Sequence, residues 1–148
     1  MSASSGRLRI LFACVGNSCR SQMAEGFCRQ MGTGVECASA GSNPAAQVAP
    51  LAVAVMQEDG VDISAARPKG FKDLPDLKFD YLVTMGCEVV CPFLPGAREV
   101  KWEIPDPHGK DFAEYRRVRD IIRQQVRDLL ESLGLLRHEP HDNHQPLG

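Results

Sequence analysis

Apolar residues along this chain fall into two spacings. Four short runs behave as strands: Leu8–Ala13, Val35–Ala40, Asp80–Met85, and a stretch in which Val100, Trp102 and Ile104 alternate with Glu99, Lys101 and Glu103. The first is almost wholly apolar, which predicts a central parallel strand covered on both faces, while the half-polar last one suits a sheet edge. Elsewhere the spacing is three and four. Met23, Ala24, Phe27, Cys28 and Met31 predict a helix over Arg20–Met31, stopped by Gly32 and Gly34. Pro50, suited to a first helical position, opens a second helix that runs through Leu51, Val55 and Met56 to Glu58, with Gly60 as its stop. Tyr115, Val118, Ile122, Val126, Leu129 and Leu133 form the apolar stripe of a long helix from Asp111, ended by Gly134. Arg116, Arg119, Arg123 and Arg127 lie largely opposite that stripe and read as a solvated face. The linker after Ser64, with Pro68, Gly70 and Pro75, reads as a short helix or turn.

Strands alternating with helices predict a single α/β domain spanning 1–148, with a four-stranded parallel sheet, right-handed crossovers and helices on both faces in three layers. The ordered core is expected over about 7–134, with 137–148 as a flexible tail. A chain of 148 residues buries enough apolar surface to need no covalent staple. The net charge of −2 offers no basic surplus for nucleic acid or a membrane surface. The small, polar opening from Met1 to Gly6 has no signal-peptide character, and no apolar run is long enough to span a bilayer, so a cytoplasmic location is expected. In that setting six cysteines are expected to stay reduced and to serve catalysis or metal binding more often than a disulfide framework. Cys28, on the helix stripe, and Cys37, alternating with Glu36, read as core positions.

The candidate chemistry sits where the first strand meets the first helix. Cys14-Val15-Gly16-Asn17-Ser18-Cys19-Arg20-Ser21 reads as a tight loop whose backbone N–H groups converge on a tetrahedral oxyanion at the positive end of the helix. Gly16 and Asn17 tolerate the positive φ of such a curl, Arg20 supplies a planar fork for two oxygens, and the same field favours a Cys14 thiolate. Cys19 reads as structural. In a parallel sheet, loops after successive strands share one edge, so Cys87 and Cys91 after the third strand fall within reach of Cys14, and Asp106, extended by Pro107, follows the fourth. His138, His141 and His144 are evenly spaced but have no element to hold them, so no metal site is expected.

These residues resemble the low-molecular-weight tyrosine phosphatase fold and, within it, the arsenate reductases that use three cysteines and are usually recharged by thioredoxin. The resemblance covers nearly all of 7–133. It rests on the segment from Cys14 to Glu25, on Ser39-Ala40-Gly41, on Gly60 to Ser64, on Val83 to Cys87 and on Asp106-Pro107. It implies a sheet order of 2-1-3-4, with Cys14 as nucleophile, Val15 to Ser21 including Arg20 as the oxyanion cradle, Ser21 as thiolate partner and Asp106 as general acid. Gln22 stands where the phosphatases usually carry proline. Those phosphatases tend to place aromatic residues beside their Asp-Pro to sandwich a phosphotyrosine ring, whereas here His108, Gly109 and Lys110 follow, and Cys87 and Cys91 match the two shuttle cysteines. The implied activity is therefore reduction of arsenate to arsenite through a Cys14 adduct and a Cys14/Cys87/Cys91 disulfide cascade, with phosphate or sulfate as competing oxyanions. The implied reductant is an external dithiol such as thioredoxin, glutaredoxin or a mycothiol system, and no bound cofactor is expected. Phosphomonoester hydrolysis through a Cys14 phosphoenzyme is the alternative. The interval between Cys87 and Cys91 is shorter than in the best-known thioredoxin-linked members, which leaves the reductant open.

Overall fold

The structure is a computed structural model that describes residues 7–86 and 94–137. In chain order it contains β1 (Leu8–Cys14), α1 (Arg20–Met31), β2 (Val35–Gly41), α2 (Pro50–Glu58), a one-turn 3-10 helix (Phe71–Asp73), β3 (Tyr81–Met85), β4 (Arg98–Trp102) and α3 (Phe112–Ser132). The strands form one parallel sheet in the order β2-β1-β3-β4. That is the order implied by the resemblance.

β1 is central, and its unbroken apolar character follows from cover on both sides. Strand periodicity sends Ile10, Phe12 and Cys14 to the face packed by α1, α2 and α3. Leu11 and Ala13 face the other way, with Phe79, Leu82 and Leu94, under Phe71, Leu74 and Leu77 from the 3-10 turn and the chain after it. Among the described residues helical cover is thus unequal: three α-helices pack on one face and one short turn on the other. The consequence for chemistry is that Cys14, last residue of β1, emerges on the face where α1 begins.

The helix boundaries follow local rules. Pro50 occupies the first turn of α2. Asp111 caps α3 by accepting from the Glu114 backbone N–H at 3.1 Å, and Gly134, at φ +73°, releases the chain beyond it. The linker expected to hold a short helix or turn supplies the 3-10 turn. β4 departs from expectation: it closes at Trp102, paired with Met85 at the end of β3. Ile104 is still buried, but its carbonyl accepts from Arg20 Nη1 at 3.0 Å.

Three readings of side chains are corrected. Arg119 is not part of a solvated face. It is 8 % exposed and turned toward α2, where Nη1 donates to the Val55 carbonyl at 2.9 Å and to Glu58 Oε1 at 2.7 Å, while Nε meets Asp120 at 2.9 Å. Arg116 grips the same Glu58 from the surface, so one carboxylate ties two arginines of α3 to the end of α2. Cys28 and Cys37 are core positions, as read, but they are joined in a disulfide between α1 and β2, with Cα atoms 6.1 Å apart. The expectation of reduced thiols fails for this pair because helix stripe and strand alternation turn both residues into the same α1–β2 seam, within bonding range. Arg137, assigned to the tail, is instead bound to the end of α1 through the Met31 and Gly32 carbonyls. Cys87, Cys91 and the three tail histidines lie outside the described residues, as does the rest of 138–148.

The two arginines hold the Glu58 carboxyl well below its usual value of 4.5, at about 2. A depressed acid pKa contributes stability that is fully present above the usual value and is lost as pH falls through the folded one. Acidification from about pH 4.5 to about 2 should therefore loosen the α2–α3 seam. Thermal denaturation of wild type and Glu58→Gln across that window should show the variant less stable at neutral pH and the two converging in acid. Because the carboxylate is partly exposed, the difference should shrink in high salt. Parallel curves for the two proteins would show that the seam does not depend on this charge.

Candidate active site

The site is assembled at the carboxyl edge of the sheet, where ligands of open α/β folds bind. β1 and β2 end side by side, Cys14 opposite Gly41. The loop then folds back over Gly41 so closely that a Cβ there would lie 2.5 Å from the Val15 carbonyl oxygen and 2.9 Å from the Asn17 nitrogen. Only glycine fits. Asn17 itself has φ +48°, the left-handed conformation that the curl requires and that asparagine tolerates.

The direction of the loop's amides is set by what its carbonyls bind. Val15 O accepts from the Asn43 N–H at 2.8 Å, Gly16 O from Ala45 at 2.9 Å and Ser18 O from Ala49 at 2.8 Å. In a trans peptide the C=O and the next N–H point opposite ways. Anchoring these three carbonyls outward therefore turns the N–H groups of Gly16, Asn17 and Cys19 inward. α1 adds its own: Cys19 occupies the N-cap without a side-chain bond to the first turn. Such a helix end presents donors and a positive dipole to an anion.

Inside this curl Cys14 is 2 % exposed, and its Sγ lies 2.9 Å from Ser21 Oγ. The Lys69 backbone N–H, which can only donate, meets Asn17 Oδ1 at 2.9 Å, so the other end of that amide is the NH₂ group that donates to Ser21 Oγ at 2.8 Å. Ser21 thus accepts from Asn17, and its one hydrogen is left for the sulfur of Cys14. This arrangement suits a thiolate.

Arg20 is buried at the rim. Nη1 is spent on the Ile104 carbonyl, and Nη2 lies 3.6 Å from Asp106 Oδ2. Asp106 is the more exposed partner, and its Oδ1 accepts from the His108 N–H at 3.0 Å in a tight turn that fixes the carboxyl's orientation. The cavity so enclosed has a volume of about 240 Å³ and is lined by Cys14, Arg20 and Asp106 with Ala45, Ala49, His108 and Tyr115. Burial, and then the neighbouring Cys14 and Asp106, push the Cys19 thiol far above its ordinary pKa, with Arg20 opposing, so Cys19 stays protonated. That fits its structural reading. Burial raises the Tyr115 phenol as well. Among the described residues no group of three His, Cys, Asp or Glu side chains is arranged to hold a metal ion.

The structure thus brings together Cys14, the loop from Val15 to Cys19, Arg20, Ser21 and Asp106. β3, which precedes Cys87 and Cys91, ends at Met85 on the same edge. Tyr115, expected only on the core stripe of α3, also lines this cavity, and its one sequence signal is a hydroxyl-bearing side chain among aliphatic ones on the first turn of that stripe. Ala45 and Ala49 carry no sequence signal, since a backbone donor leaves no trace in residue type.

Comparison with known proteins agrees with this geometry. The family model described as low molecular weight phosphotyrosine protein phosphatase matches residues 9–138. A glutaredoxin arsenate reductase of Synechocystis is 31% identical over 129 residues, covering 85% of this chain and 98% of its own. An arsenate reductase of Staphylococcus aureus is 41% identical over 129 residues, covering 77% and 89%. Among solved structures, a thioredoxin-dependent arsenate reductase of Corynebacterium glutamicum superposes with a TM-score of 0.73 at 37% identity, over 89% of this chain and 64% of that one. Fold, anion loop and sequence similarity lead to one placement: the chain belongs to the low molecular weight phosphotyrosine protein phosphatase family.

Proposed function

We propose that this protein is an arsenate reductase that converts arsenate to arsenite through Cys14. The observation that carries the reading is the cavity: a buried cysteine sulfur under inward-turned amides, in a space of about 240 Å³ lined among the described residues by Arg20, Ala45, Ala49, Asp106, His108 and Tyr115. Such a space admits a small inorganic oxyanion directly against the Cys14 sulfur. The arsenate reductases similar to this chain favour the same activity over phosphomonoester hydrolysis.

The chemistry follows from the residue types. Cys14 thiolate attacks arsenic(V), an As–O bond breaks, and Asp106 supplies the proton that lets the oxygen leave as water. The loop amides and Arg20 stabilise the charge on the remaining oxygens. Cys87 thiolate then attacks the sulfur of Cys14. The S–S bond forms as the S–As bond breaks, the bonding pair stays on arsenic, and arsenite departs as arsenic(III). Cys91 attacks Cys87, which returns Cys14 to thiolate and leaves a Cys87–Cys91 disulfide for an external dithiol to reduce with two electrons. Thioredoxin is the proposed reductant, with glutaredoxin and mycothiol systems as its competitors. Phosphate and sulfate, tetrahedral like arsenate, compete for the cradle, but a thiol does not reduce phosphorus, so phosphate stops at the first step.

Incubation with arsenate and each recycling system in turn, following reductant consumption, tests the whole scheme. Arsenate-dependent consumption is expected with one of them. Turnover of an aryl phosphate with no arsenate-dependent consumption in any system would return the protein to the hydrolase reading.

Asp106→Asn should slow adduct formation by ~10²- to 10⁴-fold, the usual worth of a positioned general acid, while oxyanion affinity changes little. Rapid-quench measurement of the first turnover beside phosphate binding checks this. An unchanged rate would move the acid role to Glu103 or His108.

In the Cys91→Ser protein, one treatment with arsenate should release about one equivalent of arsenite and stall at a Cys14–Cys87 disulfide. Peptide mapping by mass spectrometry reads the bond directly. A stalled bond joining Cys14 to Cys19, or full multiple turnover by Cys87→Ser, would overturn the three-cysteine relay.

A further inference from the structure

Of the loop carbonyls from Val15 to Cys19, all but that of Asn17 find backbone donors among the described residues. The Asn17 carbonyl is held instead by a side chain, Gln22 Nε2, at 3.2 Å. Gln22 stands at the third position of α1, where a glutamine commonly reaches back to the N-cap N–H through its oxygen. Here it reaches back two residues further and uses its nitrogen. The same Nε2 donates to Asn17 Oδ1 at 3.0 Å and to the Arg67 carbonyl at 3.1 Å. An amide nitrogen has two hydrogens. One serves Arg67, and the other is shared between the two oxygens of Asn17. The side chain is 2 % exposed, so water does not compete for these bonds.

Asn17 is thereby held from three sides: by Gln22 at both of its oxygens and by the Lys69 backbone N–H at Oδ1. Each hold has a consequence inside the cavity. Fixing the Asn17 carbonyl outward turns the Ser18 N–H inward. Fixing Oδ1 aims Nδ2 at Ser21, which in turn commits the Ser21 hydrogen to Cys14. Among the described residues no other side chain bonds both oxygens of Asn17.

We propose that Gln22 is a positioning residue for the Cys14 thiolate: it locks Asn17 between the anion loop and the 67–69 segment, and so sets both the Ser18 amide and the Ser21 hydroxyl toward the reacting sulfur. The inference rests on Cys14 being the nucleophile of the proposed reaction. It does not rest on arsenic being the substrate. Among the described residues, the charged and titratable groups that share the cavity with Cys14 are Arg20, Cys19, Asp106, His108 and Tyr115, and none of them bonds to Gln22.

Gln22→Met keeps the length of the side chain and removes the donors, and Gln22→Glu puts acceptor oxygens where three acceptors already converge. Alkylation of Cys14 is followed as a function of pH by peptide mapping. Gln22→Met should slow it at neutral pH by roughly tenfold and move the curve up by about one pH unit, the worth of one hydrogen bond to a charged acceptor. Gln22→Glu should exceed it, and both should weaken binding of inorganic phosphate, while a purely structural role would lower the thermal midpoint and leave the pH curve in place. In the parent protein, the Gln22 side-chain amide protons should exchange slowly with solvent by NMR, which holds the proposal to account even if a variant does not fold. Folded variants with the parental pH curve, or rapid exchange of those protons in the parent, would overturn it. Because alkylation and phosphate binding involve no arsenic, a protein that reduces no arsenate would sink the proposed function and leave this result standing.

Discussion

The structure depends on one constraint: successive peptide planes of a short loop must all turn their N–H groups to the same point. Left alone, a chain alternates or randomises those directions, and water satisfies whatever faces out. Here every outward carbonyl needs a donor, and the surroundings of the loop are built to provide them. β2 ends in a glycine so that the loop can lie against it. The 43–49 segment runs past at hydrogen-bonding distance before α2 begins. The buried end of α1 supplies what the backbone does not. Seen this way, the connection between β2 and α2 is a scaffold for the loop rather than a passive link.

β4 plays the corresponding part for the guanidinium. Arg20 would fold out into water if nothing held it, because its charge is cheaper to solvate than to bury. Just beyond β4, the Ile104 carbonyl accepts from Arg20, and the chain continues directly to Asp106. The fork is thus held by a neutral acceptor on one arm and a more distant carboxylate on the other. It keeps most of its positive charge for an incoming oxyanion.

Much of this was legible from residue type. β1, α1 and α2 declare themselves because their signals are local: an apolar run, a stripe at helical spacing, a proline at a helix start. The loop from Cys14 to Ser21 and the Asp106 turn declare their chemistry for the same reason. What stayed hidden depends on partners far away in sequence. Arg119 looks like one more surface arginine until α2 brings Glu58 beside it, and Cys28 and Cys37 look like two core residues until the seam between helix and strand makes them face each other. The backbone donors of Asn43, Ala45 and Ala49 could not be read at all, since any residue but proline provides one.

The Cys28–Cys37 bond gives α1 two unlike ends. One presents its amides to the cavity over Cys14, and the other half is tied to β2 by a bond of the same chemical kind that the proposed relay makes and breaks. What separates the two is access: exchange requires a thiolate to approach a sulfur, and Cys28 is wholly enclosed while Cys37 is nearly so. The distinction is then one of rate. A dithiol that recharges the enzyme in moments would open the enclosed bond only as fast as the helix breathes away from the strand. Preparations stored for long under strong reductant would lose activity through a slackened helix, with every catalytic thiol still intact.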